Sequence, residues 1–255
     1  MKILALDSSG LVAGVALVQD DTLVAEYSTN YKKTHSQTLL PMLDEIKRMV
    51  ELDLSSVDVI AVAAGPGSFT GLRIGSATAK GLGLALGKPI AAVPTVDALA
   101  MNLYGSDKLI CPLMDARRSQ VYTGLYTFEK EEGRYVLCAQ LEQCALPVEN
   151  LIGKLNALGR EVIFLGDGVP VYREMLAEKL NVSHSFAPAS CNRQRAASVA
   201  VLGVEYARAG KLVSADDFAP EYLRMSQAER ERMEASEAER ERMKAGITPS
   251  GAESR

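Results

Sequence analysis

Between Val57 and Pro94 the chain passes from an unbroken apolar run to a glycine turn, then to a glycine-spaced amphipathic run and a second short apolar run. This pattern predicts a strand over Val57–Ala64, a turn at Gly65-Pro66-Gly67, a helix over Gly71–Leu86 and a strand over Pro89–Val93, a βαβ unit. Thr70 is the expected N-cap, and Gly87 followed by Pro89 is the expected stop. Gly71, Gly75 and Ala79, and again Gly81 and Ala85, recur at intervals of four, which strips two faces of the helix of side chain. Each interior glycine costs about 1 kcal/mol relative to alanine, so another backbone is expected to press against the bared surface. Two readings follow: the face packs on the chain's own sheet, or it receives a helix from another protein.

The flanking patterns extend this unit into a lobe. Lys2–Ser9, Val12–Gln19 and Thr22–Tyr31 are β-rich runs separated by Ser9-Gly10 and Asp20-Asp21, and predict an antiparallel meander. A helix over Ser36–Val50 follows, with capping-box spacing at Thr34 and Gln37, an apolar face at Leu39, Leu43, Ile46 and Val50 widened by Leu40 and Met42, and a bend expected at Pro41. A third helix is predicted from Thr95 to about Tyr104. Three antiparallel strands followed by alternating helices and strands is the order of one RNase H-like lobe of the actin-like ATPase (ASKHA) superfamily, an α/β fold.

The second half repeats the order. Leu109–Asp115, Val121–Phe128 and about Tyr135–Leu146 predict strands, with a turn at Glu131-Glu132-Gly133; Pro147–Leu158, Val169–Leu180 and Arg195–Ala209 predict helices, and Val162–Leu165 a buried strand. The reading is therefore a duplicated fold: an N-terminal lobe over 1–105, a C-terminal lobe over 106–224 with the boundary near Gly105-Ser106-Asp107, and a cleft between them. Residues 225–255 differ in kind: AERERM occurs at Ala228–Met233 and Ala238–Met243, and the ten-residue repeat cannot keep its methionines on one straight seam. A charged, solvated helical or disordered tail is expected there.

Composition narrows the function. A net charge of −4 and a pI near 5.4 give no basic field over the whole surface, so nucleic acid would be reached only through a partner. Four cysteines without a CxxC pair and two histidines supply no metal site of the usual kind. MKILALDSSG is too short in apolar residues for a signal sequence and no later run approaches a membrane span, which together predict a cytoplasmic protein.

Candidate chemistry sits at predicted strand ends. Asp7-Ser8-Ser9 closes the first strand, where actin-type phosphotransferases keep an acid and small hydroxyls, although the same residues make an ordinary turn. Asp115-Ala116-Arg117-Arg118 closes the first strand of the second lobe; it lacks the glycines of a phosphate cradle, and its arginines suit a phosphate, a partner's carboxylate or, equally, a plain solvated loop. Gly166-Asp167-Gly168 follows a buried strand where a purine-binding turn would lie, a place that a plain strand-end turn also explains. Asp7, Ser8, Ser9, Asp115, Arg117, Arg118, Gly166 and Gly168 are thus the candidates for a vestigial nucleotide or phosphate site. GPGSFTGLR suits either an anion at a helix N-terminus, with Arg73 one turn in, or a close backbone passage. His35 and His184 have no partner histidine, and no Ser-His-Asp or Cys-His arrangement is indicated.

MKILALDSS, HSQTLLPML, AAGPGSFTGLRIG, DARRSQVY and the late Pro220–Arg224 stretch together resemble the bacterial tRNA threonylcarbamoyladenosine biosynthesis family TsaB, also called YeaZ, over about Met1–Arg224. The resemblance implies a two-lobed actin-like fold and a degenerate sister of the catalytic subunit TsaD, which holds iron or zinc on an H-x-x-x-H motif. Here those positions fall on Thr95 and Leu99, so no metal, cofactor or catalytic residue of its own is implied, while iron or zinc and ATP belong on partner subunits. The implied role is a non-catalytic partner for threonylcarbamoyl transfer to N6 of the adenosine beside the anticodon in tRNAs reading ANN codons. It would dock TsaD, help recruit the small ATPase TsaE, meet tRNA only through the complex, and form a homodimer when alone. In the family the docking helices are the first two, here 36–50 and 71–86, which makes Leu39, Met42, Leu43, Ile46, Gly71, Ile74, Gly75, Thr78, Ala79 and Leu82 the expected interface. An active small-metabolite kinase of the same fold and a purely structural self-associating protein are the alternatives.

Overall fold

The meander forms as β1 (Lys2–Asp7), β2 (Ala13–Gln19) and β3 (Thr22–Thr29), followed by α1 (His35–Met49), β4 (Val59–Gly65), α2 (Phe69–Leu86), β5 (Ile90–Pro94) and α3 (Thr95–Ala100). The computed structural model describes residues 1–31 and 33–223; the charged tail expected over 225–255 lies outside the described residues. The first sheet has the order β3-β2-β1-β4-β5, antiparallel from β3 to β1 and parallel from β1 to β5.

Both faces of this sheet are covered, which is why its strands read as continuous apolar runs. Leu4, Leu6, Val15, Leu17, Ile60 and Val62 face α1 and α2. The opposite face is built from small residues, Ala5, Ala16, Ala61, Ala63 and Ala91 among them. Its cover comes from the far end of the chain.

The second sheet repeats the topology with β6 (Leu109–Asp115), β7 (Gln120–Glu131), β8 (Arg134–Pro147), α4 (Val148–Leu158), β9 (Val162–Leu165), α5 (Val169–Lys179) and β10 (His184–Phe186), in the order β10-β9-β6-β7-β8. Its β8-β7-β6 half is antiparallel and its β6-β9-β10 half parallel, so the duplication is present strand for strand. Helices α4 and α5 cover one face around Leu113, Val121 and Phe164. On the other face Val96, Leu99 and Ala100 of α3 pack against Ile110, Met114 and Tyr126, joining the two sheets.

Helix α6 (Ala196–Arg208), expected in the C-terminal lobe, packs on the first sheet instead. The reason is complementary size: its Ala196, Val199, Ala200 and Val204 meet the alanine-rich face, and a Cβ at Gly203 would stand only 2.8 Å from Ala61 Cβ. Glu26 on β3 fastens its start, accepting from the Ala197 N–H at 3.1 Å and pairing with Arg195, where a carboxylate complements the helix dipole. After α6 the chain stays on this lobe: Val213 and Ile90 exchange two backbone hydrogen bonds of 2.9 Å, and Ala215 and Phe218 enter the core beside α2. A boundary near residue 105 therefore separates the sheets, but residues 196–223 belong with the first.

The other local differences from the sequence reading are at element ends and in one unpredicted short strand. Helix α2 starts two residues early, capped by Ser68 Oγ, which accepts from the Gly71 N–H at 3.4 Å; Thr70 lies inside the first turn. The Thr34/Gln37 capping box does not form, since the Gln37 N–H donates to the Thr34 backbone carbonyl and the Thr34 hydroxyl lies at Ser36 Oγ. Strand β10 has three residues, too short to leave a periodic signal. Among the described residues, no helix is long and apolar enough to cross a membrane.

Candidate functional site

The bared inner face of α2 is filled by the chain itself. A Cβ at Gly71 would lie 2.1 Å from the Ser8 carbonyl oxygen, and one at Gly75 2.5 Å from Ser8 Oγ, which donates to the Gly71 carbonyl at 2.8 Å. Ala79 is fully buried, and Leu39, Met42, Leu43 and Ile46 of α1 are between 1% and 5% exposed, all within one core. Of the expected interface residues, Gly71, Gly75, Ala79, Leu39, Met42, Leu43 and Ile46 therefore point inward and cannot touch a partner; Ile74, Thr78 and Leu82 are half-buried at the rim. The outward face carries Thr70, Arg73, Ala77, Gly81 and Leu84, with nothing within 4 Å of a Cβ at Gly81. Leu84 and Leu40 of α1 are more than half exposed. At its N-terminal end Arg73 stacks 4.1 Å over Phe69, whose ring lies 4.9 Å from that of Tyr222.

Close approach of α2 depends on the turn after β1. Asp7 is buried, and its Oδ1 accepts from both the Ser9 N–H at 2.9 Å and the Ser9 hydroxyl at 2.7 Å. Burial pushes the Asp7 carboxyl up from the ordinary range, opposed by the Ser9 bonds and by nearby His35. The Ser68 N–H donates to the Ser9 carbonyl at 2.7 Å, which clasps the turn to the start of α2. His35 Nε2 lies 2.8 Å from the Gly10 carbonyl oxygen. Gln194, which the sequence reading did not single out, is 3% exposed, and its Nε2 and Oε1 both lack a partner; it lies so close to Gly10 that a Cβ there would meet its amide at 2.5 Å.

Four of the other candidates meet at the end of β6. Asp115 Oδ1 accepts from the Arg117 N–H at 2.9 Å and from the Tyr172 hydroxyl at 3.1 Å, while the Arg117 guanidinium stands 3.6 Å from Oδ2. The Asp115 N–H reaches Asp167 Oδ1 at 3.3 Å; burial raises the Asp167 carboxyl, with Arg193 acting against it. Gly166 and Gly168 are bare for the chain's own backbone, because a Cβ at Gly166 would stand 2.0 Å from the Leu113 carbonyl oxygen and the Gly168 N–H donates to the same oxygen at 2.9 Å. Arg193 occupies the remaining acceptor, donating to the Gly166 carbonyl at 2.9 Å. The close passage of Leu113 accounts for both glycines without a ligand. Residues 193–195 tie the two groups together: Arg193 holds Gly166, Gln194 abuts Gly10, and Arg195 pairs with Glu26.

Arg117, Arg118 and Ser119 adopt three successive left-handed conformations, with φ of 64°, 54° and 55°. Each costs about 1 kcal/mol for a residue with a Cβ, so the turn holds strain that its hydrogen bonds must maintain. Between the sheets, Tyr126 donates to Asp97 Oδ1 at 2.7 Å, and burial raises both groups. Thr95 Oγ1 accepts from the Gly65 N–H at 3.2 Å and Leu99 is core, so neither residue fits a metal ion.

Comparison with known proteins places this geometry. Residues 22–232 match the family described as TsaD, tRNA N6-adenosine threonylcarbamoyltransferase. The tRNA threonylcarbamoyladenosine biosynthesis protein TsaB of Bacillus subtilis is 35% identical over 92% of this chain and 99% of its own length. This chain belongs to the TsaB family. The TsaB of Escherichia coli is 27% identical over 89% of the chain and 96% of its own length. The solved structure of YeaZ from Pseudomonas aeruginosa, 28% identical, superposes with a TM-score of 0.72 over 87% of this chain and 99% of that one. The TsaB family assignment and the two sheets of identical strand order together give the actin-like fold.

Proposed function

We propose that this chain is a non-catalytic subunit of the cytoplasmic machinery that places threonylcarbamoyl on N6 of the adenosine beside the anticodon in tRNAs reading ANN codons. It docks the metal-dependent catalytic sister through the outward face of α1 and α2 and helps recruit a small ATPase, and it meets tRNA only within that assembly. The observation that carries this reading is the outward face of α2, where Ala77 and Gly81 leave a trough of little side chain on the same face as exposed Leu84, while α1 exposes Leu40. A partner helix can approach such a trough closely, and apolar surface of this kind favours burial. The same face closes a homodimer when the sister is absent.

No reacting group is assigned to the chain. Thr95 and Leu99 are committed to a backbone hydrogen bond and to the core, and the Gly166–Gly168 turn is closed by Leu113 and Arg193. A subunit of this kind raises the rate by holding reactants in place, an effect worth several kcal/mol without any chemistry of its own. Depletion of the protein followed by mass spectrometry of tRNA nucleosides tests the reading: the modified adenosine is expected to fall although the catalytic subunit is still made. Unchanged modification contradicts it. ATP turnover by the purified chain would instead favour a kinase of the same fold.

A further inference from the structure

The turn from β6 to β7 stands apart from the helical docking face and has its own construction. A connection needing three left-handed residues is ordinarily served by glycine or asparagine, yet here it is Arg117, Arg118 and Ser119. Its backbone is held from four sides: Ala116 N–H to the Gln120 carbonyl at 3.0 Å, Gln120 N–H to the Arg117 carbonyl at 3.1 Å, Arg117 N–H to Asp115 Oδ1, and Val148 N–H at the start of α4 to the Ser119 carbonyl at 3.0 Å. The turn is thus rigid before anything binds it.

Its charges are left outward. The Arg117 side chain is 88% exposed, and Arg118 is exposed. Arg117 pairs with Asp115 Oδ2 at 3.6 Å, but this is a long pair with an exposed guanidinium, of a kind worth little, and a better-aligned carboxylate can compete for it. We propose that Arg117 and Arg118 form a preformed docking point for paired carboxylates on the catalytic partner protein. This rests on the reading that the chain works inside that assembly.

A guanidinium presents a planar fork that matches a carboxylate through two parallel hydrogen bonds, and a rigid turn loses little freedom when it binds. A tRNA backbone fits less well. Polyphosphate recognition needs a row of cations, whereas the chain carries a net charge of −4, and Arg193 on the same edge is spent on the Gly166 and Asn192 carbonyls. Two exposed guanidiniums suit discrete carboxylates.

The test is titration calorimetry of the full chain against the purified catalytic sister subunit from the same organism, at low and high salt, with R117A/R118A, R117K/R118K and R118G. The double alanine variant is expected to keep its melting temperature, bind at least about tenfold more weakly and lose most of its salt dependence. The double lysine variant keeps the charge but not the fork, and should recover only part of the affinity. R118G should melt no lower than the parent, since glycine is at ease at this φ, while still binding more weakly. Unchanged affinity in the double alanine variant overturns the proposal. So does normal protein binding with a loss confined to tRNA affinity of the assembled complex, which would assign the turn to phosphate. Absence of binding by the unaltered chain defeats the docking function itself, a result distinct from either.

Discussion

The two sheets share one strand order, and their first strands end at equivalent turns, Asp7-Ser8-Ser9 and Asp115-Ala116-Arg117, but the turns face opposite ways. The first is buried: Asp7 is 2% exposed, Ser8 forms the seat on which Gly71 and Gly75 of α2 rest, Gly67 lies against Ser9, and the Ser68 N–H closes the turn. The second is open, with its acid engaged in holding a strained backbone and its arginines in solvent. Duplicated topology has been kept while the use of the strand end has diverged. In the first lobe the strand-end residues serve packing, and in the second the arginines of the strand end lie at the surface.

Gly75→Leu strikes the buried turn hardest. The new side chain would enter where a Cβ already meets Ser8 Oγ at 2.5 Å and Val62 at 3.8 Å, so α2 must lift from the sheet. Overpacking of this kind costs about 3 kcal/mol, visible as a large drop in melting temperature and in the denaturant midpoint. A variant of unchanged stability would show that the first turn is not the seat of α2.

The ionisation of Asp7 gives a smaller effect. Its folded-state pKa is raised above the ordinary 3.8, so the folded chain binds the proton more tightly than the unfolded one and stability falls as pH rises through that window. The cost is absent at a pH below the ordinary 3.8 and grows as pH rises above it. Asp7→Asn keeps an oxygen to accept from Ser9 and removes the charge, so it should raise the melting temperature at pH 7.5, with the gain shrinking as pH falls toward 4. A gain independent of pH would contradict a buried charged acid.

Gln194→Met is expected to change least. It removes two buried amide atoms without partners at roughly constant volume, which should stabilise the chain by about 1 kcal/mol in a urea titration. A loss of stability would show that Gln194 has partners of its own at the junction of the two turns.

Most of the fold was legible because each sheet buries both faces and the apolar runs are long; β6 and β9 match their expected bounds residue for residue. The placement of α6 was not legible, since the fit between Gly203 and Ala61 joins positions remote in sequence, and an amphipathic stripe does not say which sheet it will meet. The glycine spacing of α2 announced close approach correctly and left its direction open. Gly71 and Gly75 serve the chain's own Ser8, whereas Gly81, in the second series, opens outward. Gln194 gave no signal, because its isolation arises only where the segment before α6 crosses the first turn.

The division of α2 into an inner and an outer face is the central claim, and Gly81→Leu tests it most directly. Its Cβ meets nothing within 4 Å, and leucine favours helix over glycine by about 1 kcal/mol, so the melting temperature should hold or rise. Binding to the catalytic sister subunit, measured by titration calorimetry on the same sample, should be lost or weakened many-fold. Intact binding by a normally folded Gly81→Leu protein would contradict the docking face.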